Sequence, residues 1–204
     1  MIRNSDELKD ALREIINIGV GRAAGMLNEL LNNHITLEVP KVDIVNLADI
    51  SRELGIVQAT SVSAVQLSFS GPVAGISSLV FPPDSASKLV DVLMGEESAT
   101  ADMDAVKIGT ISEVGNILLN AVMAAFGNFM GVRLVYSIPS YVEGSLPKVL
   151  HMDAVKDSQV LTATTRFLVE SHQIEGEIIL LFEIRSFDML AHAVDEALNP
   201  PATS

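Results

Sequence analysis

Apolar residues recur at Leu8, Leu12, Ile15, Ile16, Gly19, Ala23, Leu27 and Leu30. That 3.6-residue stripe predicts one long amphipathic helix over Asp6–Leu31, with Asn4 or Ser5 as its N-cap. The pattern then changes. Ile35–Leu47, Gly55–Phe69 and Val73–Phe81 are β-branched and partly alternating, separated by polar turns and by a hairpin turn at Ser70-Gly71-Pro72, and they read as strands. Helical periodicity returns over Ser85–Met94 and stops at Gly95.

The same order begins again in the second half. Met103–Met130 is a second long helix ending at Gly131, followed by candidate strands Leu134–Val142, Gln159–Glu170 and Ile174–Ile184. A last helix over Ser186–Leu198 stops at Asn199-Pro200-Pro201. The pattern is therefore an internal duplication of a helix-strand-strand-strand-helix unit, with repeat 1 over residues 1–98 and repeat 2 over 99–204, joined by the polar stretch Glu96–Asp102. Three strands alone are marginal, so the two units are expected to share one antiparallel or mixed sheet flanked by helices. The predicted fold class is α+β, one pseudo-twofold domain spanning residues 1–204. Small residues on the long helices, Gly21, Ala24 and Gly25 on the first and Ala121, Ala124 and Ala125 on the second, are expected to let those helices approach closely.

Composition narrows the chemistry. Hydrophobic residues make up 49% of the 204 positions and charged ones 19%, enough apolar surface for a folded core. A formal charge of -13 and an aromatic content of 4% argue against nucleic acid and anionic membrane surfaces as partners. The absence of cysteine removes disulfides, thiolate metal sites and cysteine nucleophiles. The N-terminal stretch lacks an apolar secretory core, which leads to an expected cytoplasmic location. Val114–Val132 runs 19 residues without a charge, but Asn116, Asn120 and Asn128 and the lack of flanking Lys/Arg clusters make it a buried core helix and not a membrane span.

One polar pattern occurs twice. Asp10, Glu14 and Asn17 fall at i, i+4 and i+7 on the exposed stripe of the first helix. Glu113 and Asn116 repeat the Glu-x-x-Asn spacing 99 positions later, with Ser112 beside them and Gly109 in the place of Asp10. Pro40 and Pro139, inside the first strand of each unit, share the same offset of 99. A solvated helix face explains one such pair, but Asn is a poor helix former, and its recurrence favours a function. A carboxylate and an amide supply no nucleophile and a poor metal site. What they can do is position: an amide donates and accepts hydrogen bonds without titrating, so it can hold a water in line with an electrophile, and a carboxylate can pair with a partner's Lys or Arg.

The pattern Asp/Ser-x-x-x-Glu-x-x-Asn, followed after 22 intervening residues by Pro, resembles the signature of the CheC, CheX and FliY chemotaxis phosphatases. Asp10, Glu14, Asn17 and Pro40 fit it in full, and Glu113, Asn116 and Pro139 fit a second copy that departs at Gly109. The resemblance is to CheC in particular, through Leu12–Gly21 and through overall length. It implies a phosphatase acting on the aspartyl phosphate of a CheY-type response regulator. Glu14 and Glu113 would pair with the regulator's active-site Lys, and Asn17 and Asn116 would orient the attacking water. It also implies no cofactor of the chain's own, Mg2+ residing on the regulator, and the deamidase CheD as a second partner. The competing reading is a non-catalytic adaptor that binds CheD, a response regulator or a flagellar-switch protein. Other signals are weaker. His34, His151, His172 and His192 lack ligand spacing, Gly19-Val20-Gly21 is no phosphate loop, and Met26, Met94, Met123 and Met130 read as core filler.

Overall fold

The structure, a computed structural model, describes residues 6–31, 34–53, 61–94, 103–150, 159–169, 172–182 and 184–198. The first half holds α1 (Asp6–Leu31), β1 (Ile35–Asn46), a 3-10 turn (Leu47–Asp49) that runs into α2 (Ile50–Glu53), β2 (Val62–Ser70), β3 (Gly75–Phe81) and α3 (Pro83–Met94). The second holds α4 (Met103–Phe129), β4 (Val135–Tyr136), β5 (Ser140–Gly144), α5 (Leu146–Val149), β6 (Gln159–Val169), β7 (His172–Phe182) and α6 (Ile184–Leu198). The long helices and most strands match the periodicity within a few residues. The short α2 and α5 leave no mark on the sequence pattern, because four-residue helices carry no readable period. The expected Asn4/Ser5 cap, the Glu96–Asp102 joint, the Asn199-Pro200-Pro201 stop and the start of the second strand at Gly55 lie outside the described residues.

The seven strands form one sheet in the order β1-β6-β7-β3-β2-β4, with β5 also pairing β2, and every pairing is antiparallel. Chain halves interleave at the edges: β1 pairs β6 across the length of the sequence, and β5 pairs β2. The fold is thus α+β with a mixed order of halves in an antiparallel sheet.

The main core lies on one face. Leu12, Ile16 and Leu27 of α1, Leu89 of α3, Leu118 and Phe126 of α4 and Leu190 of α6 pack there with Leu67, Leu79, Phe167 and Ile178 of the strands. On the opposite face Leu47, Ile50, Leu146 and Val149 cover Val62, Val80, Val160 and Ile179 in a smaller cluster. Residues 105–129 of α4 are long and apolar enough to cross a membrane by length and composition. Here the helix lies against α1 and the sheet, with Ile111, Leu118, Val122 and Phe126 buried in the main core.

Both motif prolines sit at interruptions of edge strands, where a residue without an N–H does least damage to a ladder. In β1 the register slips between Glu38↔Arg166 and Lys41↔Thr164, so that Val39 and Pro40 together oppose a single residue of β6. The expected strand Leu134–Val142 is broken into β4 and β5 by Ser137-Ile138-Pro139, and the register against β2 slips there by one residue as well. Ser137 bridges the gap. Its N–H donates to the Ser68 carbonyl at 2.9 Å, and its Oγ accepts the Ser68 N–H at 2.9 Å.

The close approach of α1 to α4 corrects one expectation. Gly21 and Gly25 face open space, with nothing within 4 Å of where a Cβ would sit. Gly19 is the contact point: a Cβ there would lie 2.5 Å from Val122 Cα and 2.9 Å from the Ala121 carbonyl oxygen. On α4 a glycine has a different task, since a Cβ on Gly115 would meet the Val65 side chain of β2 at 2.5 Å. Gly131, at φ +63°, ends the α4 segment in the left-handed conformation that glycine adopts without strain.

Candidate functional site

The amphipathic stripe of α1 buries Leu8, Leu12, Ile15 and Ile16 and thereby turns Asp10, Glu14 and Asn17 outward, all three exposed. The Arg13 guanidinium donates to Asp10 Oδ1 at 2.7 Å, an exposed i,i+3 pair that occupies the first carboxylate of the motif. Glu14 makes no ion pair and Asn17 no side-chain hydrogen bond with the described residues. Ile18, beside Asn17, is 47% exposed. The result is a carboxylate and an amide one turn apart, both free to engage another molecule, beside an apolar side chain.

On α4 the same spacing meets different surroundings. Glu113 is exposed and without an ion pair among the described residues, while Asn116 is half-buried. Ile117, which corresponds to the exposed Ile18, is only 8% exposed. The C-terminal part of α1 rises beside this face, and the two helices enclose an open groove of about 740 Å³ lined by Glu113, Asn116, Asn120 and Ala124 of α4 and Arg22, Met26 and Leu30 of α1. Met26 is 53% exposed and Leu30 54%, so Met26 is a wall of this groove and not core filler. Met123 is fully buried as expected and Met130 is partly buried against the core, while the Met94 side chain is outside the described residues.

Asn116 is also held from below. Asn120 Nδ2 donates to the Asn116 carbonyl at 2.8 Å and to Asn116 Oδ1 at 2.6 Å. The position that corresponds to Asn120 on α1 is Gly21, which offers no side chain. In the sequence Asn120 stands out only as a polar residue in an apolar stretch. Its spacing of four from Asn116 is the signal for this contact.

The two motif carboxylate-amide pairs thus sit on neighbouring helices, but they do not form one joint centre. Pro40, in β1, and Pro139, between β4 and β5, lie at opposite edges of the sheet, and the Pro40 side chain is outside what is described. A second residue that sequence patterns do not single out is Asn28. Its amide donates to the Ile35 carbonyl at 3.1 Å and accepts the Ile35 N–H at 2.5 Å, tying the end of α1 to the start of β1 and fixing the motif helix against the proline-bearing strand. Of the histidines, His34 is exposed and His192 lies exposed on α6, 3.6 Å from Glu196.

Residues 7–44, which carry Asp10, Glu14, Asn17 and Pro40, match the CheC-like family. The chain is 25% identical to the CheY-P phosphatase CheC of Bacillus subtilis (strain 168) over 202 residues, 95% of this chain and 96% of that protein. Among solved structures, Thermotoga maritima FliY superposes with a TM-score of 0.73 at 16% identity, covering 96% of this chain and 99% of that one. CheX in the CheX-CheY-BeF3-Mg2+ complex from Borrelia burgdorferi matches with a TM-score of 0.53 at 19% identity, over 84% of this chain and 99% of that one. The CheC-like resemblance read from the motif therefore holds, and it extends over nearly the whole chain.

Proposed function

We propose that the chain hydrolyses the aspartyl phosphate of a CheY-type response regulator. The observation that carries this reading is the recurrence, on both long helices, of an exposed carboxylate, without an ion pair among the described residues, one turn from a side-chain amide, in a chain similar to a CheY-P phosphatase along 95% of its length. Glu14 and Glu113 pair with the regulator's active-site Lys and fix its register. Asn17 and Asn116 reach toward the acyl phosphate and orient a water. The water oxygen attacks phosphorus, the bond from phosphorus to the aspartyl oxygen breaks with its electron pair left on the carboxylate, and the water proton leaves with phosphate or to solvent. Mg2+ belongs to the regulator. Asp10, Pro40 and Pro139 shape the helix and edge strands around the two pairs.

The same reading takes the chain as one cytoplasmic domain made of repeats 1–98 and 99–204. The strand order supports the duplication, because exchanging β1, β2 and β3 for β4–β5, β6 and β7 returns the same order reversed. The matching one-residue slips at Pro40 and Pro139 support it again. CheD is proposed as a second partner on the strength of the family resemblance.

The test is phosphate release from a phosphorylated CheY-type regulator by wild type and by the Asn17→Ala/Asn116→Ala double variant. Loss of a water-positioning amide at every site should lower kcat by about 100-fold or more, with the fold intact by circular dichroism. A double variant as fast as wild type would falsify the catalytic assignment of the two amides, whereas wild type that releases phosphate no faster than the regulator alone would leave the adaptor reading.

A further inference from the structure

We infer that the second site carries an internal latch, Asn120, which holds the Asn116 amide in a resting orientation that the first site lacks. The inference rests on the phosphatase reading above and deepens it. Only the nitrogen of the Asn120 amide can donate to the Asn116 backbone carbonyl, 2.8 Å away, so the orientation of Asn120 is fixed by an acceptor that cannot flip. The same NH2 group then reaches Asn116 Oδ1 at 2.6 Å, which requires the Asn116 amide to turn its oxygen toward α4 and its own NH2 away from Asn120.

That orientation has a chemical consequence. A water that is to attack phosphorus is best aligned by donating a proton to an acceptor, because this leaves its lone pair aimed at the electrophile. At the second site the bond from Asn120 engages one of the two lone pairs of the Asn116 oxygen and holds that oxygen turned back along α4, at the lining of the groove. Bringing it to the water means exchanging that hydrogen bond. At the first site Gly21 stands where Asn120 would be, Asn17 is exposed, and its amide turns freely. The latch therefore makes the second site slower than the first by about fivefold, the usual worth of one such hydrogen bond. Asn120 touches no reacting atom and is a positioning residue. Gly109, the visible departure in the second motif, is exposed with nothing within 4 Å of where a Cβ would sit, and it touches neither Glu113 nor Asn116 in a way that would produce this difference.

The experiment isolates each site and moves the latch. In the Asn17→Ala background, where only the second site works, Asn120→Ala should raise kcat about fivefold with KM unchanged. In the Asn116→Ala background, where only the first works, Gly21→Asn should lower kcat by a similar factor, again without a change in KM. The space at Gly21 admits that side chain, so this arm stands even if Asn120→Ala fails to fold. An unchanged or lowered kcat in Asn120→Ala, or an unchanged kcat in Gly21→Asn, overturns the latch. Wild type that releases phosphate no faster than the regulator alone overturns the phosphatase reading itself, and activity that persists when Asn17 and Asn116 are both alanine overturns the assignment of the two amides, which separates these failures from that of the latch.

Discussion

The two Glu-x-x-Asn pairs have the same spacing, yet α1 and α4 give them different settings. On α1 the pair rides an exposed face, with Ile18 beside it 47% exposed and a glycine one turn beyond Asn17. On α4 the pair is sunk into a groove, with Ile117 8% exposed and Asn120 one turn beyond Asn116. The cause lies in what each helix does for the fold. α1 covers one end of the sheet, next to the edge strand β1, whereas α4 is the more apolar helix, packed on β2 and β3 and flanked by α1 and α3. Repeating a motif thus repeats the chemistry on offer but not its accessibility, which is set by the neighbouring helix and by the residue four positions on.

The largest change in stability should come from the point where the two helices meet. Gly19→Ala puts a Cβ 2.5 Å from Val122 Cα and 2.9 Å from a backbone oxygen, groups that cannot swing aside. Such overpacking costs about 1–3 kcal/mol, of which the better helix propensity of Ala returns up to about 1. Gly21→Ala, two residues on, meets nothing within 4 Å and should stabilise by up to about 1 kcal/mol. Urea midpoints that move in opposite directions for the two variants are the expected result. If Gly19→Ala is as benign as Gly21→Ala, the helices are not in tight contact there, and the groove wall at the second site is free to move away.

A smaller effect distinguishes the two carboxylates. Replacing Glu14 or Glu113 by Gln removes a charge and keeps the shape, so KM for the phosphorylated regulator should rise about two- to fivefold at low salt, in line with a rim ion pair, while kcat holds. Glu113 borders the groove and Glu14 faces open solvent, so Glu113→Gln should give the larger shift, and the one that survives better at high ionic strength. KM shifts of equal size and equal salt dependence would mean that the groove does not shield the second pair.

Much of this is legible in the sequence because α1 and α4 are long enough for periodicity to accumulate. The apolar stripe delimits Asp6–Leu31 with its observed bounds, and the exposed face of Asp10, Glu14 and Asn17 follows from it. What escapes depends on tertiary neighbours. Gly19 lies on the apolar stripe like any other small residue, and only the partner helix shows that it, and not Gly21 or Gly25, marks the crossing. Met26 is apolar on a core-forming helix, but it lines the groove between α1 and α4 and is half in solvent. The break at Ser137-Ile138-Pro139 follows from proline's missing N–H, yet the bond that repairs it comes from Ser137 Oγ and needs the register to be seen.

The smallest effect tests the same comparison at the sheet edge. Asp43 on β1 accepts from Lys9 Nζ of α1 at 3.1 Å and pairs with Lys41 Nζ at 2.7 Å, while the positions 99 further on from Lys9 and Asp43 hold Ile108 and Val142. Partial burial pushes the Asp43 carboxyl upward, but the two ammonium groups outweigh it and hold its pKa below the ordinary 3.8. A depressed carboxylate contributes stability above its unfolded value and loses it as pH falls through the folded one. Asp43→Asn should therefore lower stability by about 0.5 kcal/mol at pH 7 and equally at pH 5, since both lie above that window, with the difference shrinking below about pH 3.8. Amide exchange sharpens the point: on acidification the β1 end of the sheet should lose protection before the β5 end, where no charge stands at the matching position to titrate. A deficit that persists unchanged below that pH, or one absent at pH 7, would show that Lys9 and Asp43 do not anchor α1 to its strand, and α1 would then be held to β1 by apolar packing and the Asn28–Ile35 hydrogen bonds.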